Sequence, residues 1–171
     1  MKGILVIILV LFAFSCKVDP SEKFKGQNEP VDVTENLIIK QRNQLKKDSL
    51  IIQNYLEKSK WDYSFSGTGL RYEIYEKTDG DFIQSGDPVY LKYVVTNLKN
   101  DTLYSSAKSG IMNVVVDHSR AESGLHEFLK LMKNGESGRV VIPYHLGHGL
   151  VGDDYKVPPL TSIVFDLKVL K

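Results

Sequence analysis

One cysteine, four histidines and a formal net charge of only +1 remove several function classes at the outset. A lone cysteine, Cys16, allows no internal disulfide. With 22 Lys and Arg against 21 Asp and Glu, no basic excess marks a nucleic-acid partner. The longest apolar run, residues 4–14, is too short for a membrane-spanning helix, which needs about 20 such residues. No serine sits in an elbow motif, so a nucleophile triad has no support. His145 and His148 lie three apart with Asp153 and Asp154 nearby, but Gly147 and Gly149 flank His148 and no further ligand stands at a familiar spacing. Zinc wants three or four ligands on rigid supports, so no metal is implied, and no cofactor either. His118 and His126 read as solvated surface residues.

The apolar run does fit the core of a secretory leader, with Lys2 before it and Ala13-Phe14-Ser15 leading into Cys16. Small residues before a cysteine resemble a bacterial lipoprotein box. That resemblance implies a leader over residues 1–15, an acylated Cys16 as lipid anchor and, with Lys17 rather than Asp following, a place in the outer membrane, facing the periplasm. Residues 16–32, polar and holding two prolines and a glycine, read as a flexible tether.

Residues 33–61 contain no glycine or proline. Asp32 with Glu35 three positions on is a helix-start pattern, and Ile38, Leu45, Ile52 and Leu56 share one face, so an amphipathic helix is expected near 34–58. Its seam is short, so dimerisation should be weak at most and the chain mainly monomeric. Beyond it, residues 62–171 read as a separate domain. Segments such as PVYLKYVVTNLK, GRVVIP and TSIVFDLKVLK are rich in Val, Ile, Tyr and Phe and read as strands, with turn signals at residues 86–88 and 99–101. One helical pattern interrupts them: Leu125, Phe128, Leu129 and Met132 at i, i+3, i+4, i+7, with Gly135 placed to close the helix. Strands around one short helix make an α+β domain with an antiparallel sheet.

Five pieces occur in order: GDPVYLKYVV, DTLYSS, SGLHEFLKLMKNGE, VVIPYHLGHGLVGDDYKVPP and SIVFDLKVL. Together, over about residues 67–171, they resemble the FK506-binding-protein (FKBP) family of peptidyl-prolyl isomerases. With the lipoprotein box and tether, the chain is similar to its gliding-motility-associated lipoprotein subgroup. The resemblance implies an antiparallel sheet wrapped around one short α-helix, here preceded by the amphipathic helix. It also implies a pocket between the two, with Leu125 as floor, Tyr93 and Phe165 as walls, and Leu103, Val157 and Met112 completing the lining. Ala121 and the backbone N–H of Glu122 would meet the substrate. His148 would stand in the flap where the family has a Tyr that hydrogen-bonds the ligand. Tyr104 falls where the family usually has an Asp, so it brings bulk and no charge at neutral pH.

The partners implied are proline-containing polypeptide clients and, through Cys16, a membrane. Two functions remain open on this fold: an isomerase assisting the folding of envelope proteins, and a non-catalytic peptide-binding or assembly factor, for example for a gliding or secretion apparatus.

Overall fold

A computed structural model of the protein describes residues 33–170. The leader, Cys16 and the tether lie outside the described residues. The first element among the described residues is α1 (Val33–Ser59), which stops where Lys60 turns left-handed at φ 54° and donates its N–H to Leu56 O. The sheet follows: β1 (Ser64–Phe65), β2 (Arg71–Glu76), β3 (Pro88–Asn97), β4 (Thr102–Ser105), β5 (Met112–Val115), β6 (Ser137–Ile142) and β7 (Ile163–Leu170). Two helices interrupt it, α2 (Ser106–Ser109) and α3 (Ser123–Lys130). All pairings are antiparallel, in the order β1-β2-β6-β7-β3-β4, with β5 on the first half of β3.

Side-chain alternation decides which face of the sheet is inside. Along β3, Val89, Leu91, Tyr93 and Val95 are buried while Tyr90, Lys92 and Val94 between them are exposed. In β7 the register sets Phe165 beside Val95 and Leu167 beside Tyr93. On this inner face lies α3, burying Leu125, Phe128 and Leu129, with Met132 just beyond it. Gly124 lets the helix start come close: a Cβ there would stand 2.6 Å from the Ile142 Cγ2. The helix ends at Lys130, not at Gly135 as the sequence suggested. Gly135, at φ 87°, instead serves the turn closed by Glu136 N–H to Lys133 O.

β6 and β7 break the alternation. Val141 and Val164, paired in register, face outward yet are buried. They form a second apolar cluster with Ile52 and Leu56 of α1. The later half of α1 therefore packs on the outer face of the sheet, and the compact unit begins at Ile38, upstream of the domain boundary expected at residue 62. Ile38, expected in the helix seam, is half exposed and Leu45 is only partly buried. Polar groups complete the junction. The buried Asp48 accepts the Ser162 hydroxyl at 2.7 Å, Ser162 Oγ accepts the Tyr144 N–H at 2.9 Å, and Arg71 donates to Ser49 Oγ at 2.7 Å.

Candidate functional site

The flap, residues 143–162, leaves β6 and returns into β7, with one 3-10 turn, Tyr144–Leu146, at its start. Its neighbours are β4, β5 and the start of α3, and the expected site residues gather where these meet. Tyr93, Leu125, Val157 and Phe165 belong to one apolar cluster and are nearly or wholly buried. The rings of Tyr93 and Phe165 lie 6.4 Å apart and tilted. Leu103, Tyr104, Met112 and Ala121 pack against this cluster and are partly exposed. The floor is thus a dry apolar wall, and the part of the site open to solvent is its rim.

The rim is polar. A cleft of about 370 Å³ is lined by Met112, Asn113, Val114, Ser119, Arg120, Ala121, Glu122, Gly147 and His148. Across it, His148 Nε2 stands 3.0 Å from Glu122 Oε1. This differs from the expectation that His148 turns its donor toward a peptide: that nitrogen already faces a carboxylate. Glu122 caps α3, its carbonyl accepting the N–H groups of Leu125 and His126 at 2.9 and 3.1 Å. Its own backbone N–H donates to no acceptor among the described residues, so a substrate carbonyl would complete it.

Tyr104 reaches the flap. Its hydroxyl donates a hydrogen bond to Asp153 Oδ2, while Asp153 Oδ1 accepts the backbone N–H groups of Tyr155, Lys156 and Val157 at 3.0, 2.8 and 2.7 Å. Burial would raise the Asp153 carboxyl, but the Tyr104 hydroxyl and these three amides outweigh it and hold the carboxyl far below the usual carboxylate range. Burial, then the neighbouring Asp153 carboxylate, pushes the Tyr104 phenol up to about 12. Tyr104 is therefore a neutral donor that brings a carboxylate with it, and the sequence expectation of a site edge without charge is amended by Asp153.

Two further residues differ from their sequence reading. His126, expected at the surface, is buried: its Nδ1 accepts the Asp117 N–H at 3.0 Å and its Nε2 lies 3.1 Å from Ser119 O. It ties the loop after β5 to α3, beside Ala121 and Glu122. Asp153, first weighed only as a metal ligand, organises the flap instead. The signal was present in the sequence, since an Asp before a short polar stretch commonly accepts the amides that follow it. His145 packs edge-on against the Tyr144 ring.

A family model described as FKBP-type peptidyl-prolyl cis-trans isomerase matches residues 80–170, more than half of the chain. The chain belongs to this family. Among curated relatives, a probable FKBP-type peptidyl-prolyl cis-trans isomerase of Haemophilus influenzae is 31% identical over 109 residues, covering 64% of this chain and 45% of that protein. A probable isomerase of the same type from Neisseria meningitidis, FkpA, is 28% identical over 106 residues, covering 62% and 39%. The chain thus spans less than half the length of either relative. Among solved structures, FkpA from Escherichia coli superposes with a TM-score of 0.64 at 23% identity, covering 100% of this chain and 82% of that one. A peptidyl-prolyl cis-trans isomerase from Pseudomonas syringae gives 0.65 at 21%, covering 76% and 93%. These two likenesses establish the FKBP fold, α1 included in the aligned span of the first.

Proposed function

We propose that the protein is a peptidyl-prolyl cis-trans isomerase acting on proline-containing polypeptides. The observation that carries this reading is the wholly buried apolar floor of Leu125 and Phe165 beside a polar, solvent-open rim, in a chain of this family. The X–Pro amide exchanges slowly because its resonance sets a barrier of roughly 18–20 kcal/mol. Planar, the amide is strongly dipolar; twisted, it has lost much of that resonance. An apolar enclosure withdraws the water that favours the planar form. Donors at the rim that suit the twisted geometry add differential binding. No covalent bond is made or broken, so no nucleophile, general base or metal is called for.

In this reading Tyr93, Leu125, Val157 and Phe165 hold the prolyl ring, with Leu103 and Met112 beside them. Ala121 and the Glu122 N–H meet the substrate backbone. Tyr104 supplies a neutral edge and His148 an auxiliary hydrogen bond, its Nε2 shared with Glu122. A protease-coupled isomerisation assay on several X–Pro peptides tests the proposal. Acceleration lost on blocking the pocket supports it; no acceleration with any peptide would leave a peptide-binding or assembly factor.

We further propose that Cys16 is acylated and tethers the domain, as a mainly monomeric protein, to the periplasmic face of the outer membrane, in the manner of the gliding-motility-associated subgroup. The support is the leader-like run and the lone cysteine after Ser15. Cys16→Ser should leave the membrane fraction. A variant that still sediments with membranes, with no lipid on the native protein by mass spectrometry, would overturn this.

A further inference from the structure

Residues 143–162 form no strand and only one 3-10 turn, and so long an irregular connection needs a reason to stay in place. Apolar burial does not supply it at the tip, since Leu150, Val151 and Tyr155 are 69–80% exposed. Between residues 147 and 160 only Val157 is buried, 2% exposed, in the cluster that holds Leu125 and Phe165. Two bonds join this part of the flap to the sheet, and both land on the same dipeptide of β4. Tyr104 donates to Asp153 Oδ2, and Lys156 Nζ donates to Leu103 O at 3.0 Å while lying 4.9 Å from the Tyr104 ring. The other oxygen of Asp153 gathers the amides of Tyr155, Lys156 and Val157, and the Asp153 N–H returns to Val157 O at 3.1 Å. One carboxylate therefore shapes the turn that carries Val157 and fastens that turn to β4.

We propose that Asp153 is a positioning residue: with Tyr104 it latches the flap to β4 and so holds Val157 as a wall of the proline pocket. This rests on the isomerase reading above. It makes a distinct demand on the kinetics. If the latch opens, the free protein spends part of its time with the wall displaced, and apparent affinity falls by the fraction still closed. Loss should then fall mainly on KM, because a bound peptide recloses the flap. A role in overall folding alone would lower the melting temperature and leave KM for the folded fraction unchanged.

The test compares the whole 171-residue chain with Tyr104→Phe, Asp153→Ala and the double variant, plus Asp153→Asn as the conservative change. KM and kcat for a proline tetrapeptide are measured together with hydrogen exchange at the amides of Tyr155, Lys156 and Val157. A hydrogen bond to a charged group that is partly exposed supports a change of about tenfold. Each of the first two variants should raise KM by about that factor. The double variant should be no worse than Asp153→Ala, and Asp153→Asn should fall between. Exchange at the amides of Tyr155 and Val157 should quicken in Tyr104→Phe although the Tyr104 hydroxyl bonds neither of them. Additive effects on KM, or unchanged exchange in Tyr104→Phe, would overturn the latch. If the unmodified chain accelerates no peptide, the isomerase reading fails by itself and exchange decides the latch: faster in Tyr104→Phe sustains it, unchanged refutes it.

Discussion

Leu125 and Phe165 are almost wholly buried at the base of the site, whereas Tyr104, Glu122 and His148, at the same end of the sheet, are partly open to water and each is held by one polar partner. Floor and rim face the same substrate in the proposed reaction, yet different forces set them. The floor is fixed by many small dispersion contacts and by water excluded from α3 and the sheet, so it is stiff and intolerant of charge. The rim is fixed by two pairs, Tyr104 with Asp153 and Glu122 with His148, each joining the flap to a different element. Single hydrogen bonds at a partly wet edge can be lost without loss of the fold. Damage to the floor should therefore appear first in stability, and damage to the rim first in binding.

Floor and rim should differ most at Leu125. Leu125→Asp would place an unpaired carboxylate in a site with no exposure at all, and should cost about 4 kcal/mol or more, enough to unfold much of the population. Urea denaturation measures it; a cooperative transition at the unmodified midpoint would mean that the floor is wetter than described. The outer face should behave like the floor. Ile52→Ala removes a fully buried side chain between α1 and the sheet and should cost about 2–5 kcal/mol. A fragment beginning at residue 62, which lacks both Ile52 and Leu56, should lose more. An unchanged melting curve for that fragment would show that α1 is dispensable.

Asp48 adds a different case, a buried carboxylate at the junction of α1 and the sheet. Burial raises its pKa, and the Ser162 hydrogen bond offsets this only in part. The folded state thus holds this proton more tightly than the unfolded chain. Its stabilising contribution is full below the ordinary aspartate pKa and is lost as pH rises through the raised value. Asp48→Asn keeps an oxygen for Ser162 without the buried charge. It should flatten the pH dependence of stability across that window and make the protein relatively more stable at pH 7 than at pH 4. Thermal unfolding at the two pH values decides this, and a steeper dependence in the variant would contradict it.

The smallest effect is expected at Glu122. Its pair with His148 is partly exposed on both sides, so Glu122→Gln should cost less than about 1 kcal/mol in stability. Titration with a proline peptide, which reads binding directly, should show the larger relative change; a melting shift exceeding that of Ile52→Ala would place Glu122 with the floor.

The two regions were also unequally legible in the sequence. Leu125, Phe128, Leu129 and Met132 follow helical periodicity, and all four are fully buried. Such positions depend on the element that carries them, so local pattern suffices. The docking of α1 had a fainter sign in the unbroken apolar runs around Val141 and Val164, which suit strands covered on both faces. The Tyr104–Asp153 and Glu122–His148 pairs had no local sign, because each joins residues far apart in sequence and depends on where the flap lands. His126 is the clearest case: nothing in its helix hints that two backbone groups of the preceding loop, Asp117 N–H and Ser119 O, hold both of its ring nitrogens.

The proposed catalysis needs enclosure and hydrogen bonding but no proton in flight. Exchange NMR of an X–Pro peptide with catalytic amounts of the protein, run in H2O and in D2O, measures this most directly. Cis–trans exchange should be much faster than the uncatalysed tens to hundreds of seconds, with nearly the same acceleration in both solvents. A large solvent isotope effect, with the fold intact, would mean that a rim group such as His148 or Tyr104 transfers a proton in the rate-limiting step, and would contradict it.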